Sequence, residues 1–413
     1  MKNRYQSFED LGAAFDRPVT KDFFTSEMKF IIKLLEDDHS NVIIDAPAGT
    51  GKTTFAKKLF ESYEGVLLTA VTGVAAKQFD GRTISRVCKL SRYNLEYHEI
   101  IDKNKENSVL KETHYLVIDE VGMYTWEQVY QVHLACQSAK NNFEDSFGGI
   151  KVLMMGDFCQ LEPIEIREFG VKRLVSVLHV DKRKLDEYNF HRKTFTQIFR
   201  QSDALSLKFL SALRNMIYGN HFDKQIIESI RDLLVSNETQ GLTIYSNAQD
   251  MPETVFKPNQ YYYPIGDAPY ASLPLMYGHD YLVTKNITDS KGELVYYNGQ
   301  VIILTADNQE DFHFRDFEFV KIPITKHGKN ALRTVQGDLI SEHLALTPLT
   351  NLTVRRVQGS TFESGFLSEE FFSMHNRILA ISQKAYLRTL YTALGRFTDL
   401  RKVGLKPTPL VEI

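Results

Sequence analysis

The chain has 413 residues, of which 43% are hydrophobic and 24% are charged. This composition is typical of a globular protein with two or more cores, and it argues against wholesale disorder. The formal net charge of −3 excludes a polycation that coats nucleic acid indiscriminately, so any nucleic-acid site must be a local groove.

The spacing of the cysteines and the length of the apolar stretches limit the kinds of site and the cellular location that we expect. Cys88, Cys136 and Cys159 lack C-x-x-C spacing, so the sequence predicts neither a zinc site nor a disulfide framework. The N-terminus has no apolar signal-peptide core, and no run of about 18 apolar residues is present to span a membrane. We expect a soluble intracellular protein, cytoplasmic in a bacterial or phage setting.

The first half of the chain alternates strand and helix patterns. An amphipathic helix with Phe30, Ile31, Leu34 and Leu35 at helical spacing precedes the apolar run NVIID. The later runs GVLLTAV, HYLVIDEV and IKVLMMGD are apolar throughout and are separated by helical stretches. Such a pattern predicts a parallel sheet covered by helices on both faces. The polar segment 88–113 interrupts it and is predicted to be a small insertion.

The second half changes in composition. A helical pattern extends from Thr194 to Gly219, with Phe209, Leu210, Leu213 and Ile217 on one face. Residues 240–345 are richer in Tyr, Thr, Val and Gly, and Asn298-Gly299 is a strong hairpin signal. We predict a β-rich, barrel-like module inserted into a second α/β domain, which resumes near Leu344.

The stretch APAGTGKTT, between the run NVIID and a helical pattern, predicts a phosphate-binding loop. Gly49 and Gly51 allow the backbone to turn its N–H groups toward an anion, and Lys52 supplies a charge for the β- and γ-phosphates. Thr53 would place its hydroxyl on Mg²⁺. The first position of the motif is Ala46 instead of glycine. The predicted nucleotide-binding residues are Ala46, Pro47, Ala48, Gly49, Thr50, Gly51, Lys52, Thr53 and Thr54.

Two later strands end in polar residues. VIDEVGM places Asp119 and Glu120 at the carboxyl edge of the sheet, where Asp119 would hold Mg²⁺ and Glu120 would deprotonate an attacking water. A solvated acidic pair is the alternative interpretation. In MMGDFCQLEP, Gln160 is neutral and both donates and accepts, which suits a sensor of the γ-phosphate.

Seven segments in order resemble the conserved motifs of superfamily 1 helicases. They are APAGTGKTT, TAVTGVAAKQF with GRTIS, VIDEVGM, MGDFCQLEP, FRQSD with FLSALRNMIYG, LTVRRVQGSTF and LYTALGRF. The likeness is greatest to superfamily 1B, the Dda, RecD and Pif type, and it extends from Ala46 to Phe397. The resemblance implies an α/β fold with two RecA-like P-loop NTPase domains and parallel sheets.

The resemblance also implies roles for single residues. Lys52, Glu120 and Gln160 match the triphosphate contact, the catalytic base and the γ-phosphate sensor, while Thr53 and Asp119 match the Mg²⁺ ligands. Arg200 and Arg396 match two arginines that reach the γ-phosphate from the second domain. A planar, permanently charged donor suits the charge that develops on a transferring phosphoryl group.

Other matching positions imply contacts with DNA. These are Thr72 and Gly73 in motif Ia, Thr83 in motif Ib, and Thr353, Arg355, Arg356 and Gln358 in motif V. Gln358 and Gly359 also match the segment that couples nucleotide to DNA. The chain departs from the family at Met28, which stands near the usual adenine-reading Gln, and at Val71, Ser85 and Gly395.

The implied domains are residues 1–198 and 199–413. The first would contain the segment 88–113 as a strand-separating pin, with Tyr93 and Tyr97 as candidates for base stacking or as ordinary packed tyrosines. The second would contain an SH3-like, barrel-like insertion at about 279–345.

The resemblance implies an ATP- and Mg²⁺-dependent DNA helicase that moves 5′-to-3′ on single-stranded DNA and separates strands at forks. It would act as a monomer away from membranes, with single-strand-binding or replication proteins as candidate partners in replication, recombination or repair. Two alternatives stay open at this point: a nucleotide-switched single-strand-binding factor without strand separation, and a 3′-to-5′ superfamily 1A motor. RNA is also open as the track.

Overall fold

The computed structural model describes two compact units, Met1–His221 and Phe222–Ile413. Within the described residues, no helix is both long and apolar enough to cross a bilayer. The residues that the structure describes are 26–36, 40–47, 49–60, 63–77, 79, 82–90, 97–163, 167–168, 171–172, 176–177, 182–196, 203–246, 251, 261–264, 272–275, 280–283, 287–288, 294–296, 301–306, 311–315, 320–323, 332–334, 339–341, 346–349, 351–373 and 376–407.

The first unit contains a six-stranded parallel sheet, as predicted from its apolar strand runs. Its strands have the spatial order β3-β2-β4-β5-β1-β8, and β6 and β7 form a separate antiparallel pair. The strands are β1 (Asn41–Asp45), β2 (Val66–Ala70), β3 (Arg82–Thr83), β4 (Tyr115–Asp119), β5 (Lys151–Gly156), β6 (Arg167–Glu168), β7 (Val171–Lys172) and β8 (Phe190–Thr194).

Helices connect these strands. They are α1 (Ser26–Glu36), α2 (Lys52–Phe60), α3 (Gly73–Lys77), α4 (Ile84–Val87), α5 (Tyr97–Asn104), α6 (Ser108–Glu112), α7 (Trp126–Lys140), α8 (Lys182–Glu187) and α9 (Ala204–Gly219). Successive strand residues lie on opposite faces, so Val42 and Ile44 join one buried cluster while Ile43 joins the other. The two clusters are the cores on the two faces of the sheet.

Helix α1 buries a slightly different face from the predicted one. Met28, Ile31, Ile32 and Leu35 are buried, whereas Phe30 is 46% exposed and lies 4.1 Å from the ammonium of Lys193. Met28 is 1% exposed and belongs to the apolar cluster that also contains Phe55 of α2.

In the polar segment 88–113, the described residues 97–113 contain two helices, which amide hydrogen bonds join to the chain around the end of α4. The Nδ2 atom of Asn104 donates to the carbonyl of Cys88 at 2.9 Å, and that of Asn107 donates to the carbonyl of Val87 at 2.8 Å. Both asparagines are buried, and the hydroxyl of Ser138 on α7 donates to the carbonyl of Ile101. The two buried amides therefore bind the last residue of α4 and the residue that caps it.

Helix α9 lies within the first unit. Of the four residues predicted to share one face, Leu210, Leu213 and Ile217 are buried and Phe209 is half-buried. The division of the structure after His221 differs from the predicted boundary after residue 198, because Arg214 and Tyr218 of α9 contact acidic residues at the ends of β1 and β5.

The second unit contains a four-stranded parallel sheet with the order β21-β9-β22-β23. Its helices are α10 (Lys224–Val235), α11 (Arg377–Ile381) and α12 (Gln383–Leu394). The strands of the unit are β9 (Thr243–Tyr245), β10 (Tyr261–Pro264), β11 (Ser272–Leu275), β12 (Asp280–Val283), β13 (Ile287–Thr288), β14 (Leu294–Tyr296), β15 (Val301–Ala306), β16 (Asp311–Arg315), β17 (Val320–Pro323), β18 (Leu332–Thr334), β19 (Leu339–Ser341), β20 (Leu346–Pro348), β21 (Asn351–Thr353), β22 (Gly365–Ser368) and β23 (Val403–Lys406).

A seven-stranded antiparallel sheet, β19-β18-β17-β16-β15-β12-β20, occupies the region of the predicted β-rich module. Its closure into a barrel stays a prediction. The Asn298-Gly299 turn lies outside the described residues. The strands on either side of it pair elsewhere, β14 with β13 and β15 with β12 and β16.

Candidate nucleotide site and nucleic-acid residues

Parallel strand pairing brings the predicted catalytic segments to one edge of the first sheet. Asp45 at the end of β1 pairs with Gly156 at the end of β5, and Ala70 at the end of β2 pairs with Asp119 at the end of β4. The loops that follow these strands therefore start from the same edge, which is where ligands bind in open α/β sheets.

The predicted phosphate-binding loop connects β1 to α2. Gly49 and Gly51 have φ values of 82° and 74°, a conformation that side chains with a Cβ rarely adopt. The amide and hydroxyl of Thr50 both donate to the carbonyl of Pro47, at 3.3 and 2.9 Å. Ala46 extends β1 by donating its N–H to Gly156 at 2.7 Å, so no glycine is required there. Ala48 lies outside the described residues.

Lys52 and Thr53 open the nine-residue helix α2 and face the two acidic residues after β4. The ammonium of Lys52 lies 3.7 Å from Glu120 Oε1, and the hydroxyl of Thr53 donates to Asp119 Oδ2 at 3.0 Å. Hydroxyl and carboxylate oxygens are the ligands that Mg²⁺ prefers, so this pair fits the metal. A helix N-terminus beside a lysine favours a phosphate group.

The electrostatics of Asp119 also suit a cation. Burial raises the pKa of this carboxyl to about 6, and the negative charge of Glu120 adds to that effect. The nearby Lys52 ammonium and hydrogen bonds from Glu120 N and the Thr53 hydroxyl lower the pKa in part. A buried carboxylate that is only partly compensated gains most from a bound divalent cation.

Gln160 is 2% exposed and is positioned by Asp157. Its amide N–H donates to the Asp157 carbonyl at 3.1 Å, and its side-chain Nε2 donates to Asp157 Oδ2 at 3.3 Å. The guanidinium of Arg214 donates to Asp157 Oδ1 at 2.5 Å, and the Tyr218 hydroxyl donates to Asp45.

Sequence reasoning missed Asp45, Asp157, Arg214 and Tyr218. Asp45 and Asp157 are acidic residues directly after apolar runs, and Arg214 breaks the apolar side of α9 four residues after Leu210. These signals indicate that the acids and the arginine need partners, but they do not say which partners.

In the first unit, the two threonines predicted to contact DNA accept hydrogen bonds from nearby backbone amides. Thr72 accepts from the amide of Ala75 at 3.2 Å, and Gly73 begins α3. Thr83 caps α4 by accepting from Arg86 N at 3.4 Å. Ser85, at the position of a family histidine, exchanges a hydrogen bond of 2.9 Å with the Tyr124 hydroxyl.

Motifs V and VI meet within the second unit. The Arg396 side chain, 4% exposed, donates from Nε to the Thr392 carbonyl at 3.1 Å and from Nη1 to the Ser360 carbonyl at 3.4 Å. The carbonyl of Thr353 accepts from Arg356 N at 2.9 Å. The bond between Arg396 and Ser360 joins the end of α12 to the turn after β21.

The remaining predicted residues vary in exposure. Burial lowers the pKa of Arg355, Arg356 is exposed, and Gln358 is 5% exposed. Gly395 caps α12 with an ordinary helical φ of −66°. Tyr97 is 47% exposed and donates to Glu127 at 3.0 Å. Arg200 and Tyr93 lie outside the described residues.

Residues 25–209 match the family model described as PIF1-like helicase. Over this region, the chain is similar to the PIF1-like helicases. It is 28% identical over 222 residues to the ATP-dependent DNA helicase RRM3 of Saccharomyces cerevisiae, covering 51% of this chain and 29% of that protein. It is 31% identical over 134 residues to PIF6 of Trypanosoma brucei brucei, covering 30% of this chain and 17% of that protein. The matches thus span less than a third of these relatives.

Solved Pif1 structures share the fold. The Bacteroides Pif1 structure with ADP-AlF3 and single-stranded DNA has a TM-score of 0.62 at 21% identity, covering 93% of this chain and 92% of that chain. The Candida albicans Pif1 structure has a TM-score of 0.62 at 18% identity, covering 92% and 94%. The predicted α/β fold with RecA-like domains is confirmed, and so is the predicted likeness to superfamily 1B.

Proposed function

We propose that this PIF1-like chain is an ATP hydrolase that translocates 5′-to-3′ on single-stranded DNA and separates duplex strands. The observation that carries the proposal is the pairing of Lys52 with Glu120 and of Thr53 with Asp119 beside the phosphate-binding loop. Its substrates would be single-stranded DNA and DNA forks, and it would act inside the cell.

Each group at the sheet edge has a defined task in hydrolysis. Lys52 and the N–H groups of the loop bind the phosphates, and Glu120 accepts a proton from the attacking water. Thr53 and Asp119 would hold Mg²⁺, which supplies positive charge to the phosphate oxygens when bound. Gln160 would contact the γ-phosphate, and Arg200 and Arg396 would supply further positive charge to it.

The DNA part of the proposal is supported by the curated relatives, which are named ATP-dependent DNA helicases. In this chain, Thr72, Gly73 and Thr83 would contact DNA from the first unit. Thr353, Arg355, Arg356 and Gln358 would do so from the second, where two arginines suit a phosphate track.

Strand separation on two matched partial duplexes, one with a 5′ tail and one with a 3′ tail, tests this function. We expect ATP-dependent unwinding of the 5′-tailed substrate alone. Replacing Lys52 with Ala should lower turnover by at least about 100-fold, because the variant has no ammonium group to balance the negative charge of the phosphates in a buried site. Thermal unfolding of both proteins checks that the variant keeps its fold.

Other results of the unwinding and turnover measurements would favour one of the alternative functions or refute the assigned site. Unwinding of only the 3′-tailed duplex would reject the proposed polarity. Nucleotide-dependent DNA affinity without DNA-stimulated turnover would favour a switched binding factor, and unimpaired turnover in Lys52→Ala would refute the assigned site.

A further inference from the structure

A cluster of charged side chains outside the predicted site connects α9 to two segments of that site. Asp45 is the last residue of β1, and Asp157 directly follows the neighbouring strand β5. Their side chains are 1% and 0% exposed. Two buried carboxylates at one sheet edge are costly without a cation and hydrogen-bond donors. We call Asp45 and Asp157 the buried acid pair.

Arg214 supplies the positive charge to both members of the buried acid pair. Its Nη1 donates to Asp157 Oδ1 at 2.5 Å, and its Nη2 lies 3.4 Å from Asp45 Oδ1. The Arg214 side chain is 12% exposed. Arg192 is the next described cation at Asp45, but it lies 3.8 Å away and is 36% exposed. The two prongs of one guanidinium therefore bridge β1 and β5, an arrangement that a lysine cannot reproduce.

Tyr218, one turn after Arg214, completes the bridge. Its hydroxyl donates to Asp45 Oδ2, and its ring centre lies 5.4 Å from the Arg214 guanidinium. Burial and the charge of Asp45 hold the pKa of this phenol above its usual range, so it stays a donor at neutral pH. The i, i+4 spacing places both side chains on one face of α9.

Asp157, which is bound by Arg214, also accepts hydrogen bonds from Gln160. Asp157 Oδ2 accepts from Gln160 Nε2 at 3.3 Å, and the Asp157 carbonyl accepts from Gln160 N at 3.1 Å. The other acid, Asp45, directly precedes Ala46 and accepts from Phe158 N at 3.0 Å. The orientation of the Gln160 amide thus depends on a carboxylate that Arg214 holds.

We infer that Arg214 is a positioning residue for γ-phosphate sensing, acting through Asp157 on the side chain of Gln160. The inference rests on the proposed ATP hydrolysis. A misplaced sensor affects only the state that contains the γ-phosphate, so Arg214 should influence kcat and leave ADP binding unchanged.

A double-mutant cycle tests this role. Arg214→Gln is made in the wild-type protein and in Gln160→Ala, and ATP turnover with saturating single-stranded DNA, KM for ATP and ADP affinity are measured. We expect Arg214→Gln to lower kcat about tenfold in wild type and less than about twofold in Gln160→Ala, because coupled residues are non-additive. ADP affinity should change less than about twofold. Lys208→Gln, an exposed substitution on the same helix, is the matched control.

Arg214→Lys keeps the cycle informative if the glutamine variant does not fold. It retains the charge but loses one prong, so we expect a smaller kcat loss with the same dependence on Gln160. Equal fold losses in both backgrounds, or wild-type kcat in Arg214→Gln, would overturn the positioning role and leave ATP hydrolysis intact. Wild-type protein with no more turnover than Lys52→Ala would instead refute the proposed function and this inference with it.

Discussion

Glu120 has a backbone conformation that is unusual for its residue type. Its φ and ψ are 58° and 33°, in the left-handed region, where a residue with a Cβ is strained by about 1–2 kcal/mol. The conformation lets its amide donate to Asp119 Oδ1 at 2.8 Å while its carboxylate faces the Lys52 ammonium. The strain falls on the residue proposed as the base.

Replacing Glu120 with Gln should remove the base and keep the shape of the site. An amide does not accept the proton of the attacking water, so we expect kcat to fall by about 100-fold or more. ADP affinity should be retained. Steady-state ATP turnover and ADP titration measure the two effects, with the exposed Glu144→Gln as the control. Turnover within about threefold of wild type would show that another group is the base.

His133 on α7 is held neutral by its surroundings. Its Nδ1 accepts from the Phe147 amide at 3.1 Å, and its ring packs edge-on against Phe147 and Tyr188. Burial lowers the pKa of this imidazole to about 4 from an ordinary value of 6.5. Between these values the unfolded chain binds a proton that the folded chain does not, so stability falls as the pH drops from 6.5 to 4.

The free energy of unfolding should therefore depend on pH less in His133→Gln than in wild type. The lowered pKa corresponds to about 3 kcal/mol, which we discount to about 1–2 kcal/mol because the ring is partly exposed. Denaturant unfolding at intervals from pH 7.5 to pH 4 measures the difference between the two proteins. A constant difference across this range would contradict the prediction.

At the level of elements, the end of β5 packs closely on the turn that carries Glu120. A Cβ added to Gly156 would lie 2.9 Å from the Gly122 amide nitrogen and 3.2 Å from that of Val121. Both neighbours are backbone atoms, so the turn after β4 must shift to accept a methyl group. The absence of a side chain at Gly156 keeps Glu120 close to the phosphate-binding loop.

Gly156→Ala should destabilise the protein by about 1–3 kcal/mol and lower ATP turnover by about tenfold, since the turn that positions Glu120 moves. Denaturant unfolding and steady-state turnover test the two effects. Gly219→Ala is the control, because its added methyl meets only the His221 side chain, which is able to rotate. Equal results for the two variants would mean that the close contact does not position Glu120.

The elements also show where sequence patterns predict well. Apolar runs placed β1, β4 and β5, which are buried along nearly their whole length, and β2, which is at least half-buried, because such strands have little choice of residue type. The polar segment 88–113 gave no such signal. Its helices are attached by the buried amides of Asn104 and Asn107, which have the same composition signature as exposed loop residues.

For the whole molecule, the proposed function assigns a role in hydrolysis to Arg396, which belongs to the second unit. Arg396→Ala should lower kcat by about 1000-fold while ADP affinity in the first unit is kept, because an arginine that meets the γ-phosphate acts mainly in the transition state. Arg396→Lys should recover little, since it lacks the planar fork. DNA-stimulated ATP turnover is the measurement.

Arg401→Ala is the matched control for Arg396. Arg401 lies in the same segment, and its side chain is 58% exposed and paired with Asp399 at 2.8 Å. Turnover should be unchanged in this variant. An Arg396 variant that keeps wild-type kcat would contradict the proposed role of Arg396 in hydrolysis.

The sequence by itself determined the glycine-rich loop after β1, the acidic pair after β4 and the resemblance to superfamily 1B helicases. These features are local: glycines permit positive φ, and a strand, loop and helix follow one another within a few residues. Only the tertiary structure decided that Arg214 bridges Asp45 and Asp157, and that α9 belongs with the first unit. Those contacts join residues more than 50 positions apart, and charge alone does not specify a partner at that distance along the chain.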